Sequence, residues 1–157
     1  MQVLAIPEVG QLAPDFRLRG PDGTSYSLSE YRGDKNVLVV FYPLAFSPTC
    51  SHQLPELQER QAELEAADVQ VLGVSVDSHW TNRAFAAKLG VTFPLLSDWK
   101  HEASRAWGVF LPDAGYAARA SFLVDRQGRI VWREVSDMAG GDVIPSIDAA
   151  LAAVPRT

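Results

Sequence analysis

Two segments dominate the chain: the apolar run Val37–Tyr42 within NVLVVFYP and the β-rich run Val69–Val76, VQVLGVSV. Successive residues of a strand point to opposite faces, so an unbroken apolar run must be covered on both sides, as in a parallel sheet sandwiched by helices. Between the runs, Leu54, Leu57 and Leu64 recur at helical spacing, which makes a β-α-β unit with a right-handed crossover. Pro43 ends the first run. Ser47 followed by Pro48 marks a helix start, with Ser47 as N-cap and proline at the first helical position. Cys50, the only cysteine, therefore falls in that helix's first turn, beyond the carboxyl end of a central strand. Pro55 lies inside the same helix and, having no N–H for the carbonyl of Ser51, is expected to bend it.

Upstream, Phe16–Arg19 and Thr24–Leu28 flank GPDG, a turn signal, and read as a hairpin. After the second run, Asp77 and Ser78 are candidate caps for a helix reaching Leu89 and stopping at Gly90. A shorter helix, His101–Trp107, ends at Gly108. RASFLVDRQGRIVWREV then reads as two strands around an Asp125–Gly128 turn, forming a hairpin at a sheet edge. Ile144, Ile147, Leu151 and Val154 repeat at helical spacing from Asp142 onward, with Pro145 in the first turn of a terminal helix. This order predicts an α/β, thioredoxin-like fold: a mixed central sheet flanked by helices, with an N-terminal β-hairpin extension. A length of 157 residues at 47% hydrophobic content suits one domain, residues 1–157.

Several function classes are disfavoured. One cysteine excludes an intramolecular disulfide, and the residues after it, Ser51, His52 and Gln53, exclude a paired-thiol redox motif. The three histidines have no ligand-like spacing to Cys50, so a structural zinc site is not expected. A net charge of −5 and a pI near 5.1, with no basic cluster, argue against nucleic-acid and anionic-membrane partners. No stretch approaches the roughly 20 apolar residues of a membrane span, and MQVLAIPEVG lacks a basic start, so a reducing cytoplasm is the expected setting. Asp77, Asp98 and Asp125 read as caps and turn residues, and Trp80, Trp99 and Trp107 as core or interface packing.

A helix N-terminus favours an anion, which suits a reactive thiolate at Cys50; an inert thiol packed as a small hydrophobe fits the position about equally well. A protease-like Cys50–His52 pair is disfavoured, because helical positions i and i+2 point about 200° apart. His52 is expected to face solvent.

PLAFSPTC resembles the active-site pattern of the peroxiredoxin family, Pro, three residues, Thr or Ser, two residues, Cys, met here by Pro43, Ser47 and Cys50. RASFLVD, beginning at Arg119, is similar to that family's second signature, an arginine on the strand opposite the thiol. The resemblance continues through APDFRL, VLGVSVDS, FPLLSD and AWGVF, and the lone Cys50 fits the one-cysteine branch. It implies a thiol peroxidase acting on hydrogen peroxide, organic hydroperoxides or peroxynitrite, without a prosthetic group. The Cys50 thiolate would become a sulfenic acid, recycled by an external reductant: a low-molecular-weight thiol, a glutaredoxin-like protein or thioredoxin. Arg119 and Ser47 would stabilise the departing oxygen, the Thr49 and Cys50 N–H groups would assist, and Pro43 would shield the site from water. A homodimer is implied, with Phe46 and Trp80 as contact residues. Two departures stand out: Gln53 occupies the position where the family often has a glutamate orienting the arginine, and Pro55 stands where some relatives carry a resolving cysteine.

Magnitudes locate where such catalysis must come from. Lowering a thiol pKa from about 8.5 to about 6 raises the thiolate fraction at pH 7 roughly 30-fold. The accompanying loss of nucleophilicity, at a Brønsted slope of about 0.4–0.5, returns roughly tenfold. Most of the barrier lowering must therefore act on the peroxide, at roughly 10²–10³ per well-placed donor. Bland alternatives remain open at this level: Ser47 as a cap alone, Arg119 as a surface ion-pair residue, Cys50 as a sensor without turnover, or the whole as a binding module on a retired scaffold.

Overall fold

Strand β3, Asn36–Phe41, is buried at every position, and its two faces feed two separate cores. Val37, Val39 and Phe41 pack on one side with Phe16, Leu18, Val74, Trp107 and Phe122. Leu38 and Val40 pack on the other, with Tyr42, Cys50, Leu54, Leu57, Leu64 and Phe85. The two-sided apolar run thus becomes the middle of a sheet covered on both faces.

The computed structural model describes residues 2–136 and 143–156. After the hairpin β1 (Arg17–Arg19) and β2 (Ser25–Ser27) come β3, α1 (Pro48–Glu59), α2 (Gln61–Ala66), β4 (Val69–Ser75), α3 (His79–Leu89) and β5 (Leu95–Ser97). They are followed by α4 (Glu102–Ala106), the small strands β6 (Phe110–Leu111) and β7 (Tyr116–Ala117), β8 (Ala120–Val124), β9 (Ile130–Val135) and α5 (Ile147–Ala152). The main sheet has the order β2-β1-β5-β4-β3-β8-β9. β3, β4 and β5 run parallel, whereas β8 and β9 return antiparallel and leave β9 on the edge. This is the expected thioredoxin-like α/β architecture with its N-terminal hairpin.

The differences from expectation are local. The helix that carries Pro55 ends short of Leu64, at Arg60, where φ of −97° and ψ of 11° lie outside helical values. Leu64 consequently belongs to α2, although it still reaches the same core as Leu54 and Leu57. β5 and the β6–β7 pair were not expected. At two or three residues each they carry too few side chains to show a period, and pairing with neighbours defines them. Helix α5 starts later than its apolar pattern, at the N-cap Ser146, whose side chain accepts from the Ala149 N–H; Pro145 lies before it. The expected start at Asp142 falls outside the described residues. Gly90 closes α3 with φ 70°, the left-handed conformation that the glycine there predicts. Trp107 is core, but Trp80 and Trp99 are each 66% exposed and pack in no core, contrary to that part of the reading.

Asp98 and Asp125 behave as expected. Asp125 accepts from the N–H groups of Gln127 and Arg129 across its turn. Asp98 is buried and accepts from the N–H groups of Ala103 and Ser104 in the first turn of α4. Burial pushes the Asp98 carboxyl above its usual range, and those hydrogen bonds only partly oppose the rise. A carboxyl that binds its proton more tightly folded than unfolded favours the fold at low pH, and that contribution disappears as pH rises through the folded pKa. The stability advantage of wild type over Asp98→Ala should therefore be constant near neutrality and widen as pH is lowered into the carboxylate range. Urea unfolding of both proteins across that range measures it.

Candidate active site

Strand pairing dictates which residues meet. Phe41, the last residue of β3, pairs with Ala120, the first of antiparallel β8, so Arg119 lies beside the point where the chain leaves β3 for α1. Cys50 stands in the first turn of α1 and is completely buried. Arg119 Nη1 donates to Cys50 Sγ at 3.3 Å and to Gln53 Oε1 at 2.6 Å. Cys50 and Gln53 are three residues apart on α1 and so share a face, which lets one nitrogen bridge them.

The electrostatics are unusual because this guanidinium is only 2% exposed, yet its orienting partner is a neutral amide. Among the described residues, no carboxylate is ion-paired with Arg119. A buried charge is costly unless it is matched, and among the described residues the Cys50 sulfur is a group in contact with Arg119 that can carry balancing negative charge. The buried Arg119 Nε has no hydrogen-bond partner, which leaves a donor in the site unused by the protein. No cluster of three or more metal-ligating side chains occurs among the described residues.

Ser47 is the backbone N-cap of α1, as expected, but its side chain makes no capping bond. Its hydroxyl donates to the Leu44 carbonyl at 2.8 Å, closing a local turn of the kind serine readily forms. The expected side-chain cap is therefore absent, and the N–H groups of the first turn are not occupied by it. No hydrogen bond joins the Ser47 hydroxyl to the sulfur. Pro43 follows Tyr42 at the end of β3 and is partly buried, while His52 is exposed and faces away as its spacing required. The structure thus brings Cys50 and Arg119 into contact and adds Gln53, which the sequence marked only as a departure from the family pattern. Its one-turn spacing from Cys50 was the available signal. Asp77 is not a helix cap: Ser78 caps α3 by accepting from Thr81, and the Asp77 carboxylate accepts from the Ala45 N–H at 2.8 Å.

Gln53→Ala removes the acceptor of a buried charged donor, a loss of about 1.5–3 kcal/mol. Urea denaturation should show a destabilisation of that size, and stopped-flow assays a slower reaction with peroxide, because the guanidinium loses the bond that fixes its orientation.

A buried thiol at a helix N-terminus, bridged to an arginine beside a thioredoxin-like sheet, is an arrangement suited to thiol-based redox chemistry. Residues 9–133 match the AhpC/TSA family, and the chain belongs to that family, the peroxiredoxins. It is 46% identical over 129 residues to alkyl hydroperoxide reductase E of Mycobacterium tuberculosis, a match covering 81% of this chain and 84% of that protein. It is 38% identical over 143 residues to a putative peroxiredoxin of Synechocystis, covering 85% and 71%. The fold is similar to reduced 2-Cys peroxiredoxin of Plasmodium vivax, with TM-score 0.82, 28% identity and 93% of each chain covered. It is also similar to Enterococcus faecalis AhpC, with TM-score 0.82, 29% identity and coverage of 97% and 90%. The protein is a thiol-dependent peroxidase, with the single cysteine of the one-cysteine type.

Proposed function

We propose that Cys50 is the peroxide-reducing thiol and that Arg119 is its principal catalytic partner. The observation that carries this reading is the buried Arg119 guanidinium at 3.3 Å from Sγ, ion-paired with no carboxylate among the described residues. In the reaction, the Cys50 thiolate attacks one peroxide oxygen, a sulfur–oxygen bond forms as the O–O bond breaks, and the second oxygen leaves as alkoxide or hydroxide. The Arg119 guanidinium, including its unpartnered Nε, supplies donors to the developing negative charge, and the first-turn N–H groups of Thr49 and Cys50 assist. The leaving oxygen takes a proton from water, and Cys50 is left as sulfenic acid. One external thiol condenses with it to a mixed disulfide, releasing water, and a second thiol liberates Cys50.

Ser47 serves here as a donor once its bond to Leu44 is exchanged for one to the peroxide, and Pro43 keeps bulk water from the sulfur. The whole chain acts as one domain, in the cytoplasm, as a homodimer. Phe46 and Trp80, exposed by 46% and 66%, are suited to the contact between copies. Among the described residues no helix is long and apolar enough to cross a membrane. Reductants of three kinds fit the scheme: a small thiol, a glutaredoxin-like protein or thioredoxin. The sensor alternative gains no support from relatives named as peroxide-reducing enzymes.

Mass spectrometry after one equivalent of hydrogen peroxide tests the assignment. The expected product carries one added oxygen atom at Cys50, is trapped by a sulfenic-acid reagent, and reverts on addition of an effective thiol. An unmodified Cys50 after peroxide has been consumed would overturn it.

A further inference from the structure

The segment between Pro43 and Ser47 joins β3 to the Cys50 helix, so its path decides where Sγ and the first-turn N–H groups sit. Three contacts from outside the segment hold it. The Ala45 N–H donates to Asp77 Oδ2 at 2.8 Å, and the ring of Phe46 lies 4.9 Å from that of buried Phe85, with Lys88 Nζ 5.6 Å from the Phe46 centroid. Phe46 has φ 68°, a conformation that a bulky side chain adopts only under constraint.

Asp77 is itself the end of a buried chain of hydrogen bonds. The Tyr42 hydroxyl donates to Asn82 Oδ1 at 2.6 Å, Asn82 Nδ2 donates to Ser75 Oγ at 3.1 Å, and the Ser75 hydroxyl donates to Asp77 Oδ2 at 2.8 Å. Asn82 Nδ2 also reaches the Leu96 carbonyl at 3.2 Å. Burial pushes the Tyr42 phenol far above its usual range, so it stays a donor. The carboxylate that grips the loop is in this way referenced to the ends of β3, β4 and β5 and to α3. None of these hydrogen bonds goes to the sulfur or to Arg119, although Tyr42 packs in the same core as Cys50.

We infer that Asp77 is a positioning residue for the peroxidase reaction, clamping the Ala45 amide so that the strained loop presents Cys50 and the α1 terminus to peroxide. A misplacement of about 1 Å at a reacting centre can cost about 10²-fold in rate, so loss of the clamp is felt in chemistry more than in folding. The inference rests on the assignment of Cys50 made above.

The test compares wild type, Asp77→Ala and Asp77→Asn by stopped-flow reaction with hydrogen peroxide and by alkylation with iodoacetamide, which needs no peroxide positioning. Asp77→Ala should lose about 10- to 100-fold in the peroxide rate constant while its alkylation rate does not fall. Asp77→Asn, whose carboxamide oxygen still accepts from Ala45 and Ser75, should recover most of the peroxide rate. Equal peroxide rates in Asp77→Ala and an active wild type would overturn the inference alone, as would an Asn variant no better than Ala. A wild type unreactive with peroxide would overturn the Cys50 assignment together with it. If Asp77→Ala does not fold, hydrogen exchange of the Ala45 amide in wild type decides: slow exchange supports the clamp, and exchange at the rate of a free loop amide overturns it.

Discussion

Replacing Arg119 with lysine is expected to lower the second-order rate constant for peroxide by about 10²–10³-fold, the effect of removing one well-placed donor from a developing oxyanion. Lysine keeps the positive charge but gives up the planar fork, and with it the geometry in which one nitrogen bridges Sγ and Gln53 while Nε remains unpartnered. If charge alone mattered, lysine would suffice. Activation of the sulfur by a neighbouring cation changes reactivity little once lost nucleophilicity is counted, so the larger part of the loss must reflect the peroxide. Stopped-flow kinetics over a range of peroxide concentrations, paired with urea unfolding, separates this from a structural role. A structural arginine would shift the unfolding midpoint and leave the rate of the folded enzyme within a few-fold of wild type.

The second large effect concerns stability. Trp107 is fully buried in the core on the face of the sheet away from Cys50, with ring centroids 4.9 Å from Phe122, 5.6 Å from Phe41 and 6.3 Å from Phe16. Phe41 and Phe122 lie on adjacent strands β3 and β8, so the indole fixes the very pairing that brings Arg119 to the end of β3. Trp107→Ala leaves a cavity that strands cannot readily close, and should cost about 3–5 kcal/mol. Against a typical stability of about 5–15 kcal/mol, that is a large share. Trp107→Phe should cost clearly less, because it retains an aromatic ring and removes the indole N–H, which is buried without a partner. Urea denaturation with unchanged m-values checks both, and a loss below about 1 kcal/mol for the alanine variant would contradict the packing argument.

The legibility of this chain follows the range of its interactions. β3 was readable because a continuous apolar run admits few interpretations, β4 because it is rich in valine, and α3 because Ser78 and Gly90 punctuate it at both ends. β5 was not, since Leu95–Ser97 becomes a strand only through partners supplied by β4 and β1. At the site, Cys50 and Arg119 were found through a family pattern, their contact spanning 69 residues of sequence. Gln53 was within reach of helical spacing from Cys50. The Asp77 contact with Ala45 crosses 32 residues between a loop and a strand end, where no periodicity operates, and a local reading assigned Asp77 to a cap instead. The Ser47 hydroxyl illustrates the converse: the backbone position was foreseen, but a nearer carbonyl competed for the side chain.

The central claim is that the arginine-bridged sulfur reduces peroxide far faster than an ordinary thiol. Stopped-flow measurement of the second-order rate constant of the wild-type protein with hydrogen peroxide addresses it most directly. The account predicts a value orders of magnitude above that of free cysteine at the same pH, and a value close to free cysteine would contradict it.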